Sequence, residues 1–413
     1  MVYSKRYENG LRLIISTNES VYSVSTGVIV KTGSANETEQ ENGISHFIEH
    51  NLFKGTSTRS AFEISDCIDR IGAQINAFTS KELTCYYTKS TSDYFKETLE
   101  VLSDIFFNST FLEEEIKKEK GVVIEEINMS EDTPEELCFD LLAEGYFGKE
   151  GLGRTILGPA KNIRKFTSDD IRKYMDKYYT SKNTVISVSG KVDVEKTVQL
   201  VDEFFAQKFK NTKQIIEIPT NTVKLSNVYK YKPIEQTHIA MSIKGMSVKD
   251  DRSEALTVAN IVLGGGMSSR LFQKIREELG LAYSVYSYAS QYKDCGVIDF
   301  YAGVSTDKRD QAVSAILDEI KRFRDDGITD AEFMRGKEQM KSAFVFGRES
   351  TASQMLLYGK NLIYLDEEFD YEKKLKVIEN LTKEEVEKVI QEYFETTSIA
   401  SATVGPKRSA LKI

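Results

Sequence analysis

The sequence predicts an α+β chain made of two homologous α/β units, each a mainly antiparallel sheet with helices packed on it. Three observations carry that prediction. Stretches rich in alternating, β-branched and aromatic residues recur between stretches with helical periodicity, in both halves of the chain. The segment 167–190, TSDDIRKYMDKYYTSKNTVISVSG, returns as 382–405, TKEEVEKVIQEYFETTSIASATVG, at a constant offset of 215 residues without a gap. Thr167 falls on Thr382, Ile171 on Val386, Tyr178 and Tyr179 on Tyr393 and Phe394, and Gly190 on Gly405. Duplication of one unit, each copy ending in the same capped helix and strand, is the simplest origin. Finally, 413 residues suffice to bury two separate cores. The expected division is a first unit over 1–210, a polar, threonine-rich linker over 211–223, and a second unit over 224–413.

Composition narrows the function classes. The chain is 40% hydrophobic and 29% charged, ordinary values for a globular protein. Its net charge of -9 argues against nucleic acid or an anionic membrane surface as the main partner. No apolar run approaches the ~18 residues of a membrane span. The opening MVYSKRYENGLRLIIS alternates like a strand and lacks the apolar centre of a leader, so a cytoplasmic protein without a targeting segment is expected. Cys67, Cys85, Cys138 and Cys295 are far apart and form no C-x-x-C, which fits reduced core thiols.

Taken in order, LRLIIS and YSVSTGVIV read as strands. The acidic loop SANETEQENG then leads into GISHFIEHNLFKGT at 43–56, which holds His46 and His50, two of the chain's three histidines. Four residues apart on a helix, the two imidazoles lie on one face and can reach a single metal ion, with Glu49 beside them. The pattern H-x-x-E-H places a carboxylate where a general base for a metal-activated water belongs. Ser60 and Glu63 form a capping box that starts a second helix, ending at Gly72. The segment 74–87, QINAFTSKELTCYY, has the content of a hairpin or sheet edge, a candidate for taking an extended peptide by strand addition.

Helical periodicity resumes over 92–107 and over 113–129. In the second helix Glu119 and Glu126 are two turns apart and share a face with Ile116 and Val123, whereas Glu125 points to solvent. A carboxylate on an apolar face needs a cation or a metal as partner. Two histidines leave a catalytic metal site incomplete, so Glu126 is expected as third ligand and Glu119 as a group that orients a ligand. Thr133, Pro134 and Glu136 start a further helix. The third histidine, His238, alternates with apolar neighbours and reads as a sheet residue, not a ligand. In 264–287, GGGMSSRLFQKIREELGLAYSVYS, the glycines lack the Gly-Lys-Ser/Thr ending of a phosphate loop, and are expected to let a substrate backbone approach closely.

These stretches together resemble the pitrilysin-type inverzincins, most closely the subunit-sized branch that includes the mitochondrial processing peptidase and its bacterial relatives. The resemblance covers nearly the whole chain and is strongest in HFIEHNLFKGT at 46–56, EKGVVIEEINMSEDTPEE at 119–136 and SSRLFQKIREELGLAYSVYS at 268–287. It implies one zinc per chain held by His46, His50 and Glu126, with Glu49 as the base and Glu119 as the family's additional acidic residue. It also implies that Asn76 and Ala77 lie on the peptide-binding edge strand, that Phe53 contacts substrate, and that Arg276 and Tyr283 line the substrate side of a closed site. Asn51 departs from the family, which usually has Met there; the position is outside the ligand set and bears on packing behind the metal. The expected activity is a zinc-dependent endopeptidase hydrolysing peptides or unfolded segments inside a closed chamber. A homodimer is expected, with Arg276 and Tyr283 serving the partner's zinc; a heterodimer with a related subunit is the other arrangement. The alternative function is a catalytically silent peptide-binding or scaffolding subunit, against which the intact motif speaks. A zinc amidase for small molecules fits the Asn76 edge strand poorly.

Overall fold

A computed structural model describes residues 1–209 and 222–411; the expected linker therefore lies outside the described residues except for Thr222 and Val223. Six strands form the first sheet: β1 (Val2–Arg6), β2 (Arg12–Thr17), β3 (Ser23–Val30), β4 (Gln74–Thr79), β5 (Thr84–Thr91) and β6 (Thr184–Gly190), in the order β1-β2-β6-β3-β5-β4. Five form the second: β7 (Asn227–Tyr231), β8 (Gln236–Gly245), β9 (Ala282–Gln291), β10 (Gly296–Ser305) and β11 (Ala400–Gly405), in the order β7-β11-β8-β10-β9. With β1 set aside, the two orders are the same. The directions match as well: β2 with β6 and β7 with β11 are the parallel pairs, and all other pairs are antiparallel. The helices Ser168–Tyr178 and Lys383–Tyr393 precede β6 and β11, and open with the same capping box, Thr167 with Asp170 and Thr382 with Glu385. The repeat read in the sequence is thus a repeat of topology.

Side-chain alternation builds two layers on the first sheet. Leu13, Ile15, Val24, Val28, Ile186 and Val188 face one core. Ile14, Ile29, Cys85 and Val185 face another, closed by Tyr358, Leu362 and Ile363 of the helix Thr351–Leu365. Every residue of β6 is buried, so this strand reads as a continuous apolar and small-residue run instead of a half-polar one. Gly359 lets that helix lie close: a Cβ there would stand 2.3 Å from Ile29 Cδ1 and 3.0 Å from Ser187 Cβ.

That helix shows where the continuous division of the chain differs from the structure. The first unit comprises Met1–Ile127, the stretch that begins at Thr155, and Phe346–Phe369. The second comprises Asn128–Arg154 and the described residues 222–345 and 370–411. Within the first unit Thr351–Leu365 packs on β2, β3 and β6; within the second the helix Pro134–Phe147 packs on β7, β8 and β11. Each sheet is buried on its second face by a helix from the other half of the sequence. Apolar periodicity locates a helix's buried face but carries no address for the sheet that it covers.

Two smaller expectations change. Gly264 ends the helix Ser253–Gly264, and a Cβ there would lie 2.5 Å from the backbone nitrogen of Ser287 and closer still to its hydroxyl. At this one of the three glycines the close approach is made by the protein's own strand β9, whereas a Cβ at Gly266 would meet open space. None of the four cysteines is in a disulfide; Cys85 and Cys138 are buried, whereas Cys67 and Cys295 are only half-buried. Among the described residues no helix is long and apolar enough to cross a membrane.

Candidate metal centre

The histidine helix, Ile44–Asn51, has eight residues, too short to be stable by propensity alone. Packing and capping hold it. Ile44, Phe47, Ile48 and the following Leu52 form a stripe inserted into the first unit's core. At its start the buried Glu37 carboxylate accepts from the N–H groups of Gly43 (2.8 Å) and Ser45 (2.9 Å) and from Asn42 Nδ2 (2.9 Å). Donors without an intrahelical partner are thereby satisfied. Burial nevertheless outweighs these hydrogen bonds and pushes the Glu37 carboxyl up from its ordinary value. Asn51 is buried, donates from Nδ2 to Phe47 O at 2.7 Å, and lies outside the ligand cluster.

His46, His50 and Glu126 come together. One ligand atom from each lies within 4.8 Å of the other two. Glu126 Oε2 is 3.6 Å from His46 Nε2 and 3.3 Å from His50 Nε2, and the imidazole rings are 4.6 Å apart by centroid. Glu126 is supplied by the helix Glu113–Asp132, on which Ile116, Glu119, Val123 and Ile127 are buried and Glu125 is exposed, the arrangement expected from the helical face. His50 Nδ1 meets Glu119 Oε1 at 2.7 Å; with the imidazole neutral and Nδ1 donating, its lone pair sits on Nε2 and faces Glu126. Lone pairs of two imidazoles and a carboxylate repel at these distances unless a cation stands among them. Two histidines and one glutamate are the donor set of a divalent metal in a catalytic setting.

The electrostatics have the same character. Burial pulls His50 down, yet the hydrogen bond it donates to Glu119 and the charges of Glu119, Glu126 and Glu49 outweigh it and push its pKa up. His46 falls to about 3, through burial first and then the neighbouring His50. Among the described residues its Nδ1 has no hydrogen-bond partner, so no hydrogen bond on that side fixes the ring. Burial raises the Glu49 carboxyl, against the opposing effects of Thr79 and His50.

Two residues of this site escaped the sequence reading. The Thr79 hydroxyl donates to Glu49 Oε2 from the end of β4, holding the carboxylate in place. Lys54 Nζ lies 2.7 Å from Glu119 Oε2. A partial signal existed for Thr79, since the alternation that turns Ile75 and Ala77 toward the core turns Thr79 the same way. Lys54 carried none beyond its place in the motif.

Residues 12–160 match the family model described as insulinase (peptidase family M16), and residues 165–340 match that of the peptidase M16 inactive domain. The uncharacterized zinc protease YmxG of Bacillus subtilis is 43% identical over 406 residues, 97% of this chain and 98% of that protein. The chain belongs to peptidase family M16. A second M16 relative, the uncharacterized zinc protease SCO5738 of Streptomyces coelicolor, is 36% identical over 93% of this chain and 85% of its own length. A protease from Helicobacter pylori superposes with a TM-score of 0.88 at 25% identity, covering 98% of this chain and 99% of that one. The M16 inactive domain from Pseudomonas fluorescens, at TM-score 0.90 and 18% identity over 98% of both chains, shares the fold.

The remaining residues expected in the M16 site sit as follows. β4 is a sheet edge; on it Asn76 is exposed and Ala77 is half-buried, with the Ala77 N–H donating to Asn76 Oδ1 at 2.8 Å. Phe53 is half-buried against the first unit's core. Arg276 and Tyr283 belong to the second unit and are neighbours, the guanidinium carbon 4.9 Å from the Tyr283 ring centre, with Tyr283 76% exposed. His238 is no part of the metal cluster; its Nδ1 bonds the Tyr301 hydroxyl at 2.7 Å, as a sheet residue would.

Proposed function

We propose that this M16 chain is a zinc-dependent endopeptidase that hydrolyses peptides or unfolded protein segments, binding one zinc through His46, His50 and Glu126. The observation that carries this reading is the convergence of those three donors with Glu49 alongside, held by Thr79. The zinc named in its relatives supports the choice of metal. Bound there, zinc supplies Lewis acidity toward a water and the scissile carbonyl. Glu49 takes the proton of the attacking water and returns it to the leaving amine. Glu119 keeps His50 in the tautomer whose Nε2 is free to ligate. The outer edge of β4, at Asn76 and Ala77, offers backbone hydrogen bonds to an extended peptide, which favours unfolded substrates over folded ones.

Assembly follows from what one chain carries. Arg276 and Tyr283 are donors suited to a developing oxyanion, and in a closed chamber made by a homodimer they serve the partner's zinc. The test is complementation. Purified chain should cleave unstructured peptides, lose activity to a chelator and regain it with zinc. Glu49→Gln and Tyr283→Phe homodimers should each be impaired, and mixing them with subunit exchange should restore activity. Heterodimers seen by native mass spectrometry without recovery would place the pair in its own chain's site. Stoichiometric zinc without cleavage of any peptide would favour the silent peptide-binding subunit.

A further inference from the structure

Among the described residues only one of the two histidines is oriented through its Nδ1 by a carboxylate, and that carboxylate has a second partner. Glu119 is 3% exposed, and each of its oxygens is occupied: Oε1 by His50 Nδ1 at 2.7 Å, Oε2 by Lys54 Nζ at 2.7 Å. Lys54 lies four residues beyond His50, in the turn that follows the histidine helix, where its N–H donates to Asn51 O at 3.2 Å. The ligand and the lysine therefore reach the same carboxylate from one short stretch of chain, while Glu119 arrives from another helix.

We infer that Lys54 is a positioning residue for the metal centre, acting through Glu119 on His50. An ammonium group offers donors only, so Oε2 is an acceptor in this contact. With Oε2 anchored, the carboxylate no longer turns about its last torsion, a broad two-fold rotor in a free glutamate. Oε1 is then aimed at Nδ1, which fixes both the tautomer of His50 and the plane of its ring, and so the direction of the Nε2 lone pair. His46 has no such support, since its Nδ1 lacks a partner among the described residues. The geometry of the site thus leans on the Lys54–Glu119–His50 chain.

The inference rests on the metal-site reading above, and the experiment separates the two. Zinc affinity of the full chain is measured by competition with a chromophoric chelator for wild type, Lys54→Met, Lys54→Arg and Glu119→Gln, and for Lys54→Met combined with Glu119→Gln. Loss of a group that orients a metal ligand weakens binding about 10–100-fold, and Lys54→Met is expected in that range. Lys54→Arg should restore most of the affinity, because guanidinium also donates to Oε2. In the Glu119→Gln background Lys54→Met should add less than about twofold. The cobalt-substituted spectrum should change in Lys54→Met and return in Lys54→Arg, which a loss of bulk stability would not produce. Wild-type affinity in Lys54→Met, or the same loss with and without Glu119, overturns the role of Lys54. A wild type that binds no zinc overturns the metal site itself. Should Lys54→Met not fold, the Arg variant decides alone: a loss of tenfold or more with unchanged thermal unfolding sinks the inference, and affinity within about twofold of wild type sustains it.

Discussion

The two units share one sheet topology and differ in chemistry. In the first, the helix after β3 carries His46, Glu49 and His50; in the second, the helix after β8, Ser253–Gly264, contains no histidine or metal-binding pair. At the repeat's offset the positions of Glu119 and Glu126 are Met334 and Lys341. Met334 is 62% exposed, and Lys341 pairs with Glu379 at 2.8 Å on the surface. The same framework therefore holds a cluster of converging donors, one buried and two half-buried, in one copy and solvated side chains at the matching positions in the other. The fold sets where a site can be placed, and a handful of side chains decides whether it is there.

The sharpest way to break that contrast is Glu49→Gln. Peptide hydrolysis should fall by several orders of magnitude while stoichiometric zinc is kept, because the base is lost and all three ligands remain. Activity retained in the zinc-loaded variant would mean that the first unit's cluster is not the reaction centre. Next in size is Glu126→Ala, which should empty the site by metal analysis; Glu125→Ala, on the exposed face, should leave zinc content unchanged. The reverse pattern would show that the wrong carboxylate has been assigned.

Two buried carboxylates extend the comparison to stability. Glu119 accepts from His50 and from the Lys54 ammonium, and although burial raises its pKa, these two contacts outweigh that and hold it below the ordinary value. Asp299 on β10 sits between Ser242 of β8 and Tyr288 of β9, its cross-strand neighbours, and hydroxyls alone do not offset its burial. Its pKa is pushed up to about 7. From about pH 4 to 7 the unfolded chain has therefore given up a proton that the folded chain keeps, so the stability of the second unit falls as pH rises through this window and levels off above it. Asp299→Asn should remove that decline, leaving the variant a few kcal/mol more stable than wild type at pH 8 and close to it at pH 4 in denaturant titrations. A difference between the two that does not depend on pH would overturn the assignment. The smallest effect is expected at Lys341. Lys341→Ala removes an exposed ion pair and should leave both stability and zinc content nearly unchanged; loss of metal there would erase the asymmetry between the units.

The candidate metal donors were legible in the sequence because each lies on a helical face that the period alone defines; that Glu126 meets the two histidines is a tertiary contact. His46 and His50 are one helical turn apart, and Glu126 was separated from Glu125 by a face argument that needs only the period of a helix. The duplication was legible too, because a gapless repeat keeps its capping box and its apolar positions together. What tertiary structure alone decided is of another kind. The Glu49 carboxylate is held by Thr79, thirty residues away on the edge strand, and Glu119 by Lys54 from the turn after the histidine helix. The helices Pro134–Phe147 and Thr351–Leu365 were readable as helices, but not as covers for sheets in the other half of the sequence. A side chain's hydrogen-bond partner, like the face a helix buries against, is set by which segments meet in space. Periodicity records which face is apolar, and it is silent about what that face will touch.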